Sequence, residues 1–144
     1  MMIKDNSGQV SLEYLLIFAI SLIILVTFTL PLTELTIENT LDVSDTLDVK
    51  SDLSQLSQAI CQVYGEGQGS KHTVTIISSK SITFNIGNSF ISSNLKLKDG
   101  SKKNLKVSYK STLAKSNIPI TKGVNKIIVE WPIDSENMRI YKKE

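Results

Sequence analysis

Hydrophobic and polar residues follow three successive rhythms along this chain. Tyr14 to Thr33 read YLLIFAISLIILVTFTLPLT, twenty residues without a charge. At about 1.5 Å of rise per helical residue the run spans roughly 30 Å, the thickness of a bilayer's hydrocarbon core. Farther on, Val49, Leu53, Leu56, Ile60 and Val63 recur at spacings of four, three, four and three, which is one face of an amphipathic helix or a short coiled-coil seam. From Ser70 the period falls to two. Val74 and Ile76, then Ile82, Phe84 and Ile86, alternate with Thr and Asn. Leu105, Val107 and Tyr109 alternate with Lys and Ser; Ile127, Val129 and Trp131, then Met138 and Ile140, continue the pattern. Such alternation predicts half-buried strands, six or seven in all.

The expected architecture is α+β: a long N-terminal helix followed by a small antiparallel β-sheet or sandwich. Pro31 lacks the N–H that would bond the Thr27 carbonyl, so a kink is expected near it. Residues 35–48 are less clear, since TLDVSD from Thr40 is echoed by TLDVKS from Thr46 and the local alternation also suits a strand. Helix is the better reading, because Pro31 is the only breaker before Gly65. Gly65, Gly67 and Gly69 should stop the helix and act as a hinge. Gly87-Asn88 and Asp99-Gly100 are turn dipeptides, Asp99-Gly100 being a good hairpin signal and Lys122-Gly123 a weaker one. The segments are then a leader at 1–8, an apolar helix at 9–33, an acidic amphipathic helix at 34–64, a glycine-rich hinge at 65–70 and a β-rich head at 71–144.

Three origins for the apolar run compete. A buried core helix would need covering on every side, which a domain this small can hardly provide. A cleavable secretory signal has an apolar region of about 7–15 residues ending at a small-x-small site. This run is longer and leaves through Phe28-Thr29-Leu30-Pro31-Leu32, so a retained membrane helix is expected. Charge sharpens the division. Residues 1–33 carry net −1, residues 34–66 net −6 and residues 67–144 net +9, within a total of +2. The lone Cys61 excludes an internal disulfide, and with the lone His72 it excludes a Cys/His zinc cluster. Cys61 follows the seam position Ile60 and is expected as a small buried hydrophobe, with crosslinking between subunits as the alternative.

The flank before the run is unusual for a plain anchor. It reads MMIKDNSG, then Gln9-Val10-Ser11-Leu12-Glu13. A carboxylate at the edge of lipid either has a partner and a function or sits at headgroup level facing water. The string resembles the class III signal peptide of archaeal type IV pilin-like proteins, in which a short polar leader ends in Gly and a Gln-x-Ser-x-Glu motif opens a retained helix. Gly8 ends the leader, and Gln9, Ser11 and Glu13 stand at the motif positions. Where the family usually has Leu four residues after the Glu, this chain has Ile17 beside Leu16, an apolar-for-apolar departure. The resemblance covers about thirty residues. It implies cleavage between Gly8 and Gln9 by prepilin peptidase, a membrane aspartic protease, and a free amine on Gln9. It also implies that Glu13 neutralises that amine on a neighbouring subunit during assembly. Ser11 would bond back to a helix carbonyl in a structural role.

No catalytic constellation appears in the sequence, and no enzyme and no cofactor are expected. His72 has no Cys or Ser placed as a nucleophile and reads as a strand-edge surface residue. Asp134 and Glu136 flank a Ser in a loop rather than facing a cleft. The glycine cluster follows a helix and lacks the Gly-Lys-Ser/Thr ending of a phosphate loop. The chain has no Asn-x-Ser/Thr triplet, which argues against N-glycosylation. The +9 of the head has three readings: solubility, pairing with the acidic stalk of a neighbour, or binding an acidic surface or polyanion. Nucleic acid is disfavoured, because the lysines are not interleaved with aromatics. The expectation is thus a membrane precursor that becomes a subunit of a cell-surface filament, adhesive or related. Its partners would be prepilin peptidase, the membrane during biogenesis, and other copies or related pilins. The alternative is a single-span, membrane-anchored extracytoplasmic binding protein with a β-sandwich head that does not polymerise.

Overall fold

The computed structural model describes residues 6–111 and 113–143, with side chains from residue 11 onward. The leader charges Lys4 and Asp5 and the Gln9 side chain lie outside the described residues. The chain divides into two units, Met1–Thr40 and Leu41–Glu144. One helix, α1 (Asn6–Glu66), contributes to both.

In the first unit the helical run continues across Pro31 without a break. Every side chain from residue 11 to residue 40 is exposed, including Leu15, Phe18, Ile23 and Phe28. The hydroxyl residues in this apolar stretch bond to their own backbone. Ser21 Oγ donates to the Ile17 carbonyl at 2.8 Å, Thr27 Oγ1 to Ile23 at 2.7 Å and Thr36 Oγ1 to Leu32 at 2.8 Å. A hydroxyl without a partner is costly away from water, and these bonds let Ser and Thr occupy an apolar run at little penalty.

Among the described residues, the second unit is built from residues 41–66 of α1 and seven strands. These are β1 (Lys71–Ser78), β2 (Ile82–Ile86), β3 (Phe90–Lys96), β4 (Lys102–Ser108), β5 (Ser116–Ile120), β6 (Gly123–Glu130) and β7 (Arg139–Lys143). They form two antiparallel sheets, a three-stranded one in the order β1-β6-β7 and a four-stranded one in the order β4-β3-β2-β5. An isolated parallel bridge, Leu113 to Met138, joins the chain segments leading into β5 and β7. The helix stripe read from the sequence is the centre of the core: Leu53, Leu56, Ile60 and Val63 are fully buried, with Val49 and Ala59 beside them. Around them pack Val74, Ile76, Ile127 and Val129 from the first sheet, and Phe84, Ile86, Ile91, Leu95, Ile118 and Ile120 from the second.

The glycines end the helix as expected. Gly67 adopts φ +89° and donates its N–H to the Val63 carbonyl at 3.1 Å, closing the last turn. The corner is then bonded to β6 and the helix: Gly69 N–H donates to the Trp131 carbonyl, Trp131 N–H to Ser70, and Ser70 Oγ to Val63. Tyr64 stacks on the half-buried Trp131 with ring centroids 5.7 Å apart.

Two local expectations need correction. Cys61 is exposed, because the buried stripe passes through Ile60 and Val63 and turns position 61 outward. Lys122-Gly123 does not close a hairpin: β5 and β6 belong to different sheets, so Gly123, at φ +103°, turns the chain from one sheet to the other. The fully buried Asn125 holds that corner, with its Oδ1 accepting from Thr121 N–H and Oγ1 and its Nδ2 donating to the carbonyls of Thr121 and Gly123. Strand β3, which carries none of the alternations read in the sequence, has burial that departs from strict alternation. In β3 the inward position Ser93 is itself polar and fully buried, satisfied by donating to the Thr83 carbonyl at 3.0 Å. In β5, Pro119 is tolerated because β5 is an edge strand.

Candidate functional site

The residues singled out at the N-terminus lie at the start of α1. Gly8 falls in the first turn of the helix, where backbone N–H groups have no intrahelical acceptor. Ser11 and Glu13 are exposed, as are Leu12, Leu16 and Ile17 around them. Positions 9 and 13 are one helical turn apart and therefore share a face, with Ile17 one turn further on. The arrangement is a carboxylate at the rim of an apolar rod, close along the helix to position 9. The helix is long and apolar enough to cross a membrane, and none of its apolar stretch is buried.

Charged residues of the second unit pair within their own chain. Asp45 forms an ion pair with Lys80, and Asp42 accepts the Lys98 backbone N–H at 3.1 and 3.3 Å through its two oxygens. Two of the stalk's acids are thus engaged by the head of their own chain. Both bonds clamp the β1–β2 and β3–β4 connections onto the helix. The other ion pair among the described residues joins Lys71 and Glu130 at 3.7 Å, across neighbouring positions of β1 and β6.

Asp48 and Asp52 lie one turn apart on α1. Burial, with the negative charge of Asp48 added, pushes the half-buried Asp52 carboxyl up to about 6. A carboxyl whose folded value lies above its unfolded one binds more protons in the folded state, so stability falls as pH rises from about 4 to about 6. Asp52→Asn should therefore raise the melting temperature at pH 7 and flatten its dependence between pH 4 and 6. Melts of both proteins across that range check it, and an identical pH profile would contradict it.

His72 is half-buried in the edge strand β1, beside Gln55, Gln58, Ala59 and Gln62 of the helix. Among the described residues no three His, Cys, Asp or Glu side chains gather as metal ligands.

Residues 7–31 match the family model of the class III signal peptide. The match spans Gly8, the Gln9, Ser11 and Glu13 motif, and the apolar helix up to Pro31. The chain therefore carries a prepilin-like N-terminus, that of a membrane-anchored precursor of the type processed by prepilin peptidase. Comparison with curated proteins and with solved structures gives no match for the chain.

Proposed function

We propose that the chain is a structural, non-catalytic subunit of an archaeal type IV pilus-like filament, cut between Gly8 and Gln9 and assembled through its N-terminal helix at the cell surface. The observation that carries this reading is the class III match over residues 7–31, directly on a helix whose side chains from 11 to 40 are all exposed. Such a surface needs lipid before assembly and other helices after it. A head-to-tail contact that repeats from one subunit to the next builds an open helical array. Helix packing then replaces lipid around Leu15, Phe18 and Ile23, and the β head faces outward. Cleavage gives Gln9 a positive amine, and Glu13 of a neighbouring subunit supplies the opposite charge where water is scarce.

Glu13→Gln keeps the size and polarity of the side chain and removes its charge. The variant is expected to insert and be cleaved normally but to yield few filaments, measured by shearing cells and comparing sheared with membrane-bound protein. A wild-type filament yield would reduce Glu13 to a headgroup-level residue. A mature protein that keeps its first eight residues and stays in the membrane would favour the single-span binding protein instead.

A further inference from the structure

The outward face of the four-stranded sheet carries residues that strand formation does not explain. Antiparallel register places Asn104 opposite Asn94, Lys106 and Asn85 on either side of Ser92, and Asn117 opposite Asn85. The four asparagines and Lys106 point away from the core, since their neighbours Leu105, Leu95, Phe84 and Ile118 are buried, while Ser92 between them is itself buried. Asn94, Asn104 and Asn117 are exposed and Asn85 is half-buried. Asparagine is depleted in strands, yet four stand together on this one face. None of the four begins an Asn-x-Ser/Thr triplet, so they are not glycan acceptors. Asn104 Nδ2 donates to Asn94 Oδ1 at 2.7 Å, which leaves the remaining donors and acceptors of this carboxamide pair open to solvent.

The rim of the face is cationic. Lys96 stands directly opposite Lys102, a like-charge cross-strand pair that destabilises a sheet. Both are exposed, and neither has a carboxylate partner among the described residues. Asp99, in the turn between them, is held below the usual carboxylate range by hydrogen bonding from the Ser101 side chain and then from the Ser101 N–H, which it accepts at 2.8 Å. Lys106 lies on the same face with its Nζ 3.8 Å from the centroid of the Phe90 ring. The cation therefore covers the aromatic surface on which a nucleic-acid base would stack.

We infer that this face binds an anionic polysaccharide, with the asparagine carboxamides meeting sugar hydroxyls and Lys96, Lys102 and Lys106 meeting the carboxylate or sulfate groups. Carboxamides offer donors and acceptors together, as hydroxyls do, and lysines on two strands suit charges spaced along a chain. Two features that each cost the sheet stability are thereby given one ligand.

The test uses the full chain in detergent micelles, so it does not depend on processing or assembly. Affinities are measured for polygalacturonate, neutral dextran, poly-glutamate of similar charge and duplex DNA. Polygalacturonate is expected to bind about tenfold more tightly than poly-glutamate, the amount that one or two added hydrogen bonds supply. Asn85→Thr with Asn94→Thr, which restores strand propensity, should remove that tenfold difference and leave poly-glutamate binding unchanged. Lys96→Gln with Lys102→Gln should weaken both polyanions and lower the salt dependence, with melting unchanged or raised. Equal affinity for polygalacturonate and poly-glutamate, tightest binding to DNA, no binding, or asparagine variants that bind polygalacturonate like the parent would each overturn the inference.

Discussion

Gly8→Val is expected to leave the precursor uncleaved in the membrane, an effect approaching all or none. A protease must hold the backbone at the scissile bond in an extended form, and Gly8 lies in the first turn of α1. Two properties make that turn easy to open. Its first N–H groups have no helical acceptors, and glycine is about 1 kcal/mol less favourable in a helix than alanine. Valine adds a Cβ branch that crowds the backbone where the enzyme must approach, and it restricts χ1. Immunoblots of membranes should show only the larger precursor, where the parent shows a product shorter by the leader. A normal ratio of product to precursor would move the cut away from Gly8, and N-terminal sequencing of the product would then locate it.

The second large effect concerns the part of α1 that belongs to the head. A fragment of residues 41–144 is expected to be soluble and to melt in one cooperative transition, because it retains the whole buried cluster. A fragment of residues 65–144 lacks Val49, Leu53, Leu56, Ala59, Ile60 and Val63, the stripe against which both sheets pack. It should show no cooperative melt, since total stabilities of about 5–15 kcal/mol leave no room for such a loss. Within the longer fragment, Leu56→Ala should cost about 2–5 kcal/mol, as for a fully buried leucine whose site cannot collapse. That corresponds to a fall in Tm of roughly 10 °C or more. Cooperative melting of the shorter fragment at the same temperature as the longer one would mean that the two sheets close a core without the helix.

The amino-acid sequence alone determined the features that rest on periodicity and local chemistry. An uncharged run of twenty residues is long enough as a helix to span a bilayer, and the class III string before it is read residue by residue. The helix stripe from Val49 to Val63, the glycine stop and the hairpin at Asp99-Gly100 follow from spacing and backbone freedom, and the structure has all of them. The tertiary structure decided what depends on partners distant in the chain. Ser93 and Asn125 are polar yet fully buried, and only their bonds to Thr83, Thr121 and Gly123 make that tolerable. Cys61 faces out although its neighbour Ile60 faces in, because a helix turns about 100° at each residue. Asp42 and Asp45 belong to the acidic segment of the sequence, which does not show their partners, and the fold brings the Lys98 N–H and the Lys80 ammonium to them. The four asparagines lie as far as 32 positions apart, and strand register gathers them on one face. No local pattern encodes that register, since it is fixed by the packing of the opposite side chains around the helix.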